Sequence, residues 1–207
     1  MNIRPYKNPA FNNIYNMLFC DDIELYRNNA TGEAAYPWDI LFSKNATKEE
    51  LLKVATDGSL ETRMQLLAYK LLGSDAKKFL AVIVEVGMED GLDTLAAYKD
   101  GTARYINHSE KLTVWDAVTN ESKQLVDDLF YHSFQVVKQI GPWDKDRLPQ
   151  PGIGQVRLSF LVSDGLYFGN GPFEILERDV MAGPVIKAAT DLLVFLTEQK
   201  ISAATGS

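Results

Sequence analysis

The first third of the chain carries apolar side chains at the spacing of amphipathic helices. The residues of two such faces are Phe11, Ile14, Tyr15 and Leu18, and then Met64, Leu67, Ala68 and Leu71. Between them, Thr47 and Glu50 have the spacing of a capping box, which predicts the start of a short helix. The segment from Asn28 to Lys44 has no such period and is predicted to be irregular. Residues 1–75 are therefore predicted to be mainly helical.

The hydrophobic period changes to that of strands after Lys78. The continuous apolar run from Phe79 to Val86 is typical of a central strand. Asp100-Gly101 separates two further strand-like segments, and this dipeptide is the strongest short signal of a hairpin. A second Asp-Gly pair occurs at Asp164-Gly165. The predicted strands are residues 79–86, 92–98, 102–107, 111–118, 156–163 and 166–168, with helices starting near residues 120 and 184.

This order predicts an α+β fold with an antiparallel sheet of about six strands. After the N-terminal helices, the chain is predicted to form a four-strand meander, a helix, a hairpin and a last helix. We expect a single domain over residues 1–207, in which the helical segment, residues 1–75, packs on the sheet-containing segment, residues 76–201.

The turn lengths predict which side chains share a face of the sheet. If Asp100-Gly101 is a two-residue turn, Asp93 lies opposite His108, and a five-residue loop at 87–91 places Glu85 opposite Asp93. One face is then apolar and is expected to be covered by helices. The other face is mixed and is expected to be solvated or functional; its residues are Ala81, Ile83, Glu85, Asp93, Leu95, Arg104, Ile106 and His108.

The mixed face contains the strongest candidate for chemistry. Glu85, Asp93 and His108 form one row across three strands under these registers. Two carboxylates and an imidazole serve as general acid and base, or as ligands of a divalent metal. The alternative is that these groups are ordinary solvated charges at strand ends. No metal site and no cofactor is assigned, and no glycine-rich phosphate-binding motif is present.

Two further groups of side chains are candidates for binding a ligand or a partner. Arg104 is expected to stack on Trp115 beside Ile106, on the mixed face. An apolar pocket between the sheet and the proline-rich loop 141–154 is expected to be lined by Trp143, Tyr167 and Phe168. Asp144, Asp146 and Arg147 of the same loop are interpreted as a solvated charge cluster.

The composition narrows the classes of partner. A formal net charge of -7 argues against nucleic acid and against an anionic membrane surface. No apolar stretch approaches the roughly 20 residues that cross a bilayer. Cys20 is the single cysteine, so an intrachain disulfide is impossible, and the polar N-terminus does not have the pattern of a signal peptide. These features favour a cytoplasmic protein.

Three segments of the chain are distinctive. They are NIYNMLFCDD at residues 13–22, GLDTLAAYKDGTARYINHSEKLTVW at 91–115 and RLSFLVSDGLYFGNGPF at 157–173. In these segments the chain resembles a family of uncharacterised bacterial proteins of about this length. The resemblance implies a bacterial cytoplasmic protein and assigns no catalytic residue. At the level of fold, the order of elements is similar to that of profilin-like domains, by analogy alone.

Two functions are predicted from these observations. The first is a non-enzymatic binding or adaptor module, whose sheet face or sheet edge contacts a protein partner or a second copy of the chain. The alternative is a hydrolase or metal-assisted enzyme that uses Glu85, Asp93 and His108. Small-molecule binding beside the 141–154 loop is a third option.

Overall fold

The computed structural model describes residues 3–205, and the surroundings of side chains for residues 3–198. The N-terminal helices are α1 (Pro9–Leu18), α2 (Ile23–Asn29), α3 (Trp38–Leu41), α4 (Lys48–Thr56) and α5 (Thr62–Leu72). The strands of the meander are β1 (Phe79–Met88), β2 (Gly91–Tyr98), β3 (Ala103–Ile106) and β4 (Leu112–Trp115). The remaining elements are α6 (Asn120–Val137), β5 (Gln155–Val162), β6 (Gly165–Pro172), α7 (Phe173–Leu176) and α8 (Ala182–Thr205).

The six strands form one antiparallel sheet in the order β4-β3-β2-β1-β5-β6. The apolar run of β1 lies at the centre, between β2 and β5, as its composition predicts. Helix α6 crosses the sheet, so the second Asp-Gly hairpin pairs with β1 and not with β4. The predicted α+β class is confirmed. Among residues 3–205, no helix combines the length and the apolar composition needed to cross a bilayer.

Helices cover both faces of the sheet. Ile83, Ala96 and Ile106 are buried together with side chains of the N-terminal helices. Val84, Leu95 and Phe160 are buried on the opposite face with side chains of α6 and α8. The prediction of a solvated or functional mixed face is therefore wrong, because the N-terminal helices pack on that surface and remove it from water.

The Asp-Gly turn between β2 and β3 is one residue longer than predicted. Ala97 pairs with Ala103, and the N–H of Gly101 donates to the carbonyl of Tyr98 at 2.9 Å. Gly101 has a φ of 91°, which a three-residue hairpin loop requires at its last position. The two-residue turn would place Leu95 opposite Ile106, whereas Leu95 pairs with Tyr105, so the predicted register is wrong by one residue.

A long-range contact explains the length of this turn. One carboxylate oxygen of Asp100 accepts the N–H of Thr62 at 2.7 Å, at the start of α5. The N–H of Asp100 donates in return to the hydroxyl of Thr62 at 3.1 Å. The loop is therefore shaped around the N-terminus of a helix 38 residues away in sequence. No local turn signal contains that information.

Two other hairpins are also present with shifted turns. Met88 pairs with Gly91, so a two-residue turn replaces the predicted five-residue loop. As a result, Glu85 pairs with Thr94, and Asp93 pairs with Val86 on the opposite face. In the hairpin of β5 and β6, the turn residues are 163 and 164, one position before the predicted Asp-Gly pair. A one-residue shift moves a side chain to the other face of the sheet, which separates Glu85 from Asp93.

Candidate functional site

Glu85 is fully buried on the face that packs against the N-terminal helices. Its Oε1 accepts a hydrogen bond of 2.7 Å from the hydroxyl of Tyr15 in α1. Its Oε2 lies 3.7 Å from Nη1 of Arg157 in β5, which is too far for a hydrogen bond. Burial raises the pKa of Glu85, and the opposing attraction of Arg157 is smaller than this desolvation effect. Glu85 is a core carboxyl group with one strong partner.

Asp93, near the start of β2, contacts His108, which follows β3. Asp93 Oδ1 accepts the backbone N–H of His108 at 2.6 Å and lies 2.9 Å from its Nδ1. Because one oxygen binds both groups, Asp93 closes the end of the β2–β3 ladder. Glu85 lies on the opposite face of the sheet, so the predicted row of three groups is wrong. Among the described residues, no three His, Cys, Asp or Glu side chains are grouped as metal ligands.

Arg104, Ile106 and Trp115 form structural contacts. The guanidinium of Arg104 pairs with Asp116 at 2.6 Å and donates to the backbone carbonyl of Trp115 at 3.3 Å. The Trp115 ring packs edge-on against Phe195 of α8, with ring centroids 5.2 Å apart on the other face of the sheet. Ile106 is fully buried. The expected stacking of Arg104 on Trp115 is therefore wrong, because Trp115 pairs with Ala103 and points the opposite way.

The structure brings together two of the three aromatic residues expected beside the 141–154 loop. The rings of Trp143 and Phe168 pack edge to face with centroids 5.1 Å apart. The N–H of Trp143 also donates to the carbonyl of Leu166 at 2.7 Å, which attaches the loop to the edge strand β6. Tyr167 points to the opposite face and is buried against α6 and α8. The expected apolar pocket with all three rings is not formed.

A large cleft lies next to this attachment point. It has a volume of about 730 Å³, within the range typical of small-molecule sites. Its walls are the chain after α1 (residues 19–22), the end of α5 (66–75), loop residues 143–147 and the β5–β6 turn (161–166). The sequence predicts a pocket beside loop 141–154, and this cleft borders that loop and contains Trp143, but Tyr167 and Phe168 are not in its lining. The walls from residues 19–22 and 66–75 are not predicted, because they are far from the loop along the chain.

Local conformations shape two of these walls. Cys20 has a φ of 51°, and the chain turns sharply there between α1 and α2. Gly73 ends α5 in the left-handed conformation, with a φ of 59°. Both turns direct the following acidic residues, Asp21 and Asp75, toward the cleft.

The cleft is acidic. Three cations, Lys70, Lys145 and Arg147, face a larger group of carboxylates. The six carboxylates of the lining are Asp21, Asp22, Asp75, Asp144, Asp146 and Asp164, which leaves a formal surplus of three negative charges. Asp21 Oδ1 and Asp164 Oδ1 accept no hydrogen bond from any described residue, although both atoms are buried.

Arg147 ties the loop to the N-terminal helices. Its Nε lies 2.6 Å from Asp21 Oδ2, and its Nη2 donates to Asn16 Oδ1 at 2.8 Å. The guanidinium also covers the ring of Phe19 at 4.1 Å from the centroid. The side chain of Arg147 is only 8% exposed. The expectation that this residue belongs to a solvated charge cluster is therefore wrong.

The lining contains one thiol, which is poorly suited to nucleophilic chemistry. Cys20 is buried and lies 3.4 Å from the hydroxyl of Tyr26. Burial raises the pKa of the Cys20 thiol to about 12. A thiolate is the reactive form of cysteine, so this group stays protonated at neutral pH.

No protein-family model matches the chain, and no curated protein is significantly similar to it.

Proposed function

We propose that the protein is a non-enzymatic binding module and that its ligand is a small organic cation held in the acidic cleft. The observation that supports this most directly is the surplus of carboxylates around a cleft of about 730 Å³. Carboxylates in a partly enclosed site attract a protonated amine more strongly than they do in open water. Asp21 and Asp164 line the cleft and contribute two of its six carboxylates.

The geometry supports binding over hydrolysis. The three residues predicted for chemistry divide between the two faces of the sheet, with Glu85 on one and Asp93 on the other. The thiol in the cleft is held in its neutral form by burial. A hydrolytic site needs a nucleophile, a base and a stabilising group within reach of one another. The cleft supplies charge and shape, which are sufficient for recognition.

The proposed site differs from the binding surface that the sequence predicts. The face of the sheet is occupied by the protein's own helices, so a partner that docks on it would have to displace them. The edge strand β6 remains next to the cleft, because its first residues line the cleft wall. The proposed ligand therefore lies in the cleft beside the edge of the sheet and not on its face.

Isothermal titration calorimetry with spermidine at low ionic strength tests this proposal. We expect binding that weakens as NaCl is added, and no binding of succinate, which has the opposite charge. Asp164→Asn should weaken spermidine binding about fivefold, since one carboxylate is lost from a partly screened site.

The matched control is Asp127→Asn, which removes the same charge from an exposed position on α6. It should leave spermidine binding unchanged. Equal weakening by both variants would show that spermidine responds only to net charge, and the proposal would then fail. Binding of succinate without binding of spermidine would also contradict it.

A further inference from the structure

The outer edge of β6 carries free backbone groups next to the acidic cleft. β6 is the last strand of the sheet, and its eight pairs with β5 continue without a bulge. The carbonyl of Leu166 accepts the N–H of Trp143 at 2.7 Å, so the backbone groups of Leu166 face away from β5. Backbone groups alternate in direction along an antiparallel strand, and those of Phe168 and Asn170 therefore face outward too. Among residues 3–205, no backbone group is hydrogen-bonded to the outward N–H and C=O of these two residues.

The side chains along this edge leave room for another strand. Sheets usually protect an open edge with a lysine, a bulge, a proline or a covering segment. Loop 141–154 pairs with β6 at Leu166, before the outward groups that lack partners, and Pro172 comes after them, at the end of the strand. Between these two residues, glycines flank Asn170 on both sides, so few side-chain atoms lie beside the backbone. Residues 168–171 thus form a free edge of the sheet.

The cleft begins where this free edge ends. Gly165 and Leu166 belong to the cleft lining, and Leu166 lies two residues before Phe168, which is about 7 Å along the strand. The side chains of Leu166 and Phe168 lie on the same face of the sheet, because side chains alternate along a strand. A residue paired with Phe168 on an added strand would place its side chain on that face as well. A lysine at this position reaches the cleft, since its ammonium group is carried on a flexible four-carbon stem.

Charge determines which kind of strand fits the free edge. At one end, the cleft has a formal surplus of three negative charges. At the other end, residues 174–179 carry three carboxylates and one arginine, all exposed. A cationic peptide is attracted to both ends, whereas a second copy of this chain, with a net charge of -7, would bring like charges together.

We propose that the free edge of β6 binds an extended, lysine-containing segment of a protein partner, which adds a strand to the sheet and places a lysine side chain in the acidic cleft. The outward N–H and C=O groups of Phe168 and Asn170 supply two donors and two acceptors for the backbone of that segment. The carboxylates of the cleft select its lysine. This inference rests on the proposed function, because it identifies the organic cation of the cleft as a lysine side chain.

The probe is the peptide acetyl-Lys-Thr-Val-Thr-Val-Thr-Lys-amide, titrated into the full chain by calorimetry at low ionic strength. Its sequence is the same in both directions, so it fits either orientation of the added strand. The peptide should bind, and the same peptide with glutamate in place of both lysines should not. Only alternate N–H groups of a strand face its neighbour. N-methylation of either the central threonine or the valine before it should therefore weaken binding at least tenfold, and N-methylation of the other should have little effect.

Asn170→Pro tests the edge from the side of the protein. It removes an outward N–H without breaking a bond to β5, and the proline ring obstructs an added strand. Peptide binding should weaken at least tenfold, while spermidine binding, which needs only the cleft, should equal that of the wild type. The matched control is Val114→Pro on β4, the opposite edge strand, where the side chain is exposed. This variant should bind the peptide as the wild type does.

The outcomes separate this inference from the proposed function. Asp164→Asn should weaken the binding of the peptide and of spermidine alike, because both place a cation in the cleft. Full peptide binding by Asn170→Pro, equal effects of the two N-methylated peptides, or a dimer in analytical ultracentrifugation that Asn170→Pro dissociates would each overturn the inference. Binding of spermidine without binding of the peptide would overturn this inference alone. The absence of binding for both would contradict the proposed function as well.

Discussion

Replacing Arg147 by methionine removes the connection between loop 141–154 and the N-terminal helices. Methionine keeps most of the side-chain volume over Phe19 but cannot pair with Asp21. The partner substitution, Asp21→Asn, removes the charge and keeps a hydrogen-bond acceptor in the same place. Measured singly and together, the two substitutions form a double-mutant cycle that isolates the energy of the ion pair.

The expected magnitudes follow from the contacts of Arg147. A hydrogen bond between charged groups contributes about 1.5–3 kcal/mol, and we take the lower end because the Asp21 side chain is 32% exposed. The bond to Asn16 adds about 1 kcal/mol, and its loss leaves no orphan because Asn16 Oδ1 also accepts the N–H of Ile3 at 3.2 Å. The cation–π contact with Phe19 is largely replaced by a thioether contact. Arg147→Met should therefore lower the free energy of unfolding by about 2–3 kcal/mol, with a coupling to Asp21 of about 1–2 kcal/mol.

Urea unfolding followed by circular dichroism measures all four proteins of the cycle, and an unchanged m-value shows that the native state is retained. Lys187 and Asp191 provide the control cycle. Their N···O distance is also 2.6 Å, but Lys187 is 75% exposed. This pair should couple more weakly than Arg147 and Asp21, because water screens it. A coupling below about 0.5 kcal/mol for Arg147 and Asp21 would refute the claim that this ion pair holds the loop.

Two further predictions concern the residues that the sequence singles out for catalysis. Burial raises the pKa of Glu85, so its stabilising contribution is fully present below the unfolded pKa of about 4.3 and is lost as the pH rises through the folded pKa. The free energy of unfolding of the wild type, measured relative to Glu85→Gln, should fall over this range; a difference that is constant with pH would contradict the raised pKa. Asp93→Asn weakens the closure of the β2–β3 ladder at His108 and should lower the free energy of unfolding by about 1–2 kcal/mol. It should leave spermidine binding unchanged in calorimetry, and a loss of binding without a loss of stability would place Asp93 in the functional site.

The order and type of the main elements could be predicted because local patterns encode them. The apolar run of β1 marks a strand buried on both sides, and Thr47 forms the predicted capping box at the start of α4. Both Asp-Gly pairs lie at hairpins, although one turn is a residue longer than predicted and the other is shifted by one residue. Short helices are not predicted where tertiary contacts determine the conformation of the chain. Helix α3, for example, lies in a segment that has no helical period in the sequence.

Local sequence patterns do not predict the whole lining of the candidate site. Asp164 and Asp21 come from regions of the chain that have no shared motif, and only the packing of the N-terminal helices beside the second Asp-Gly hairpin brings them to one cleft. The sequence indicates a solvated loop residue at Arg147 because its partner, Asp21, is 126 positions away. The burial of the Arg147 charge and its pairing with Asp21 become evident only from the folded structure, in which the two side chains are in contact.

The sequence by itself determined the α+β class, the order of the elements and the existence of the hairpins, because periodicity and turn chemistry act within a few residues. The tertiary structure alone decided the registers, and with them which of the predicted site residues lie together. The bonds between Asp100 and Thr62 lengthen the turn after β2 by a residue, and the two-residue turn after Met88 places Glu85 and Asp93 on opposite faces of the sheet. Side chains along a strand alternate between the two faces of the sheet. One residue more or less in a turn therefore moves every following side chain to the opposite face.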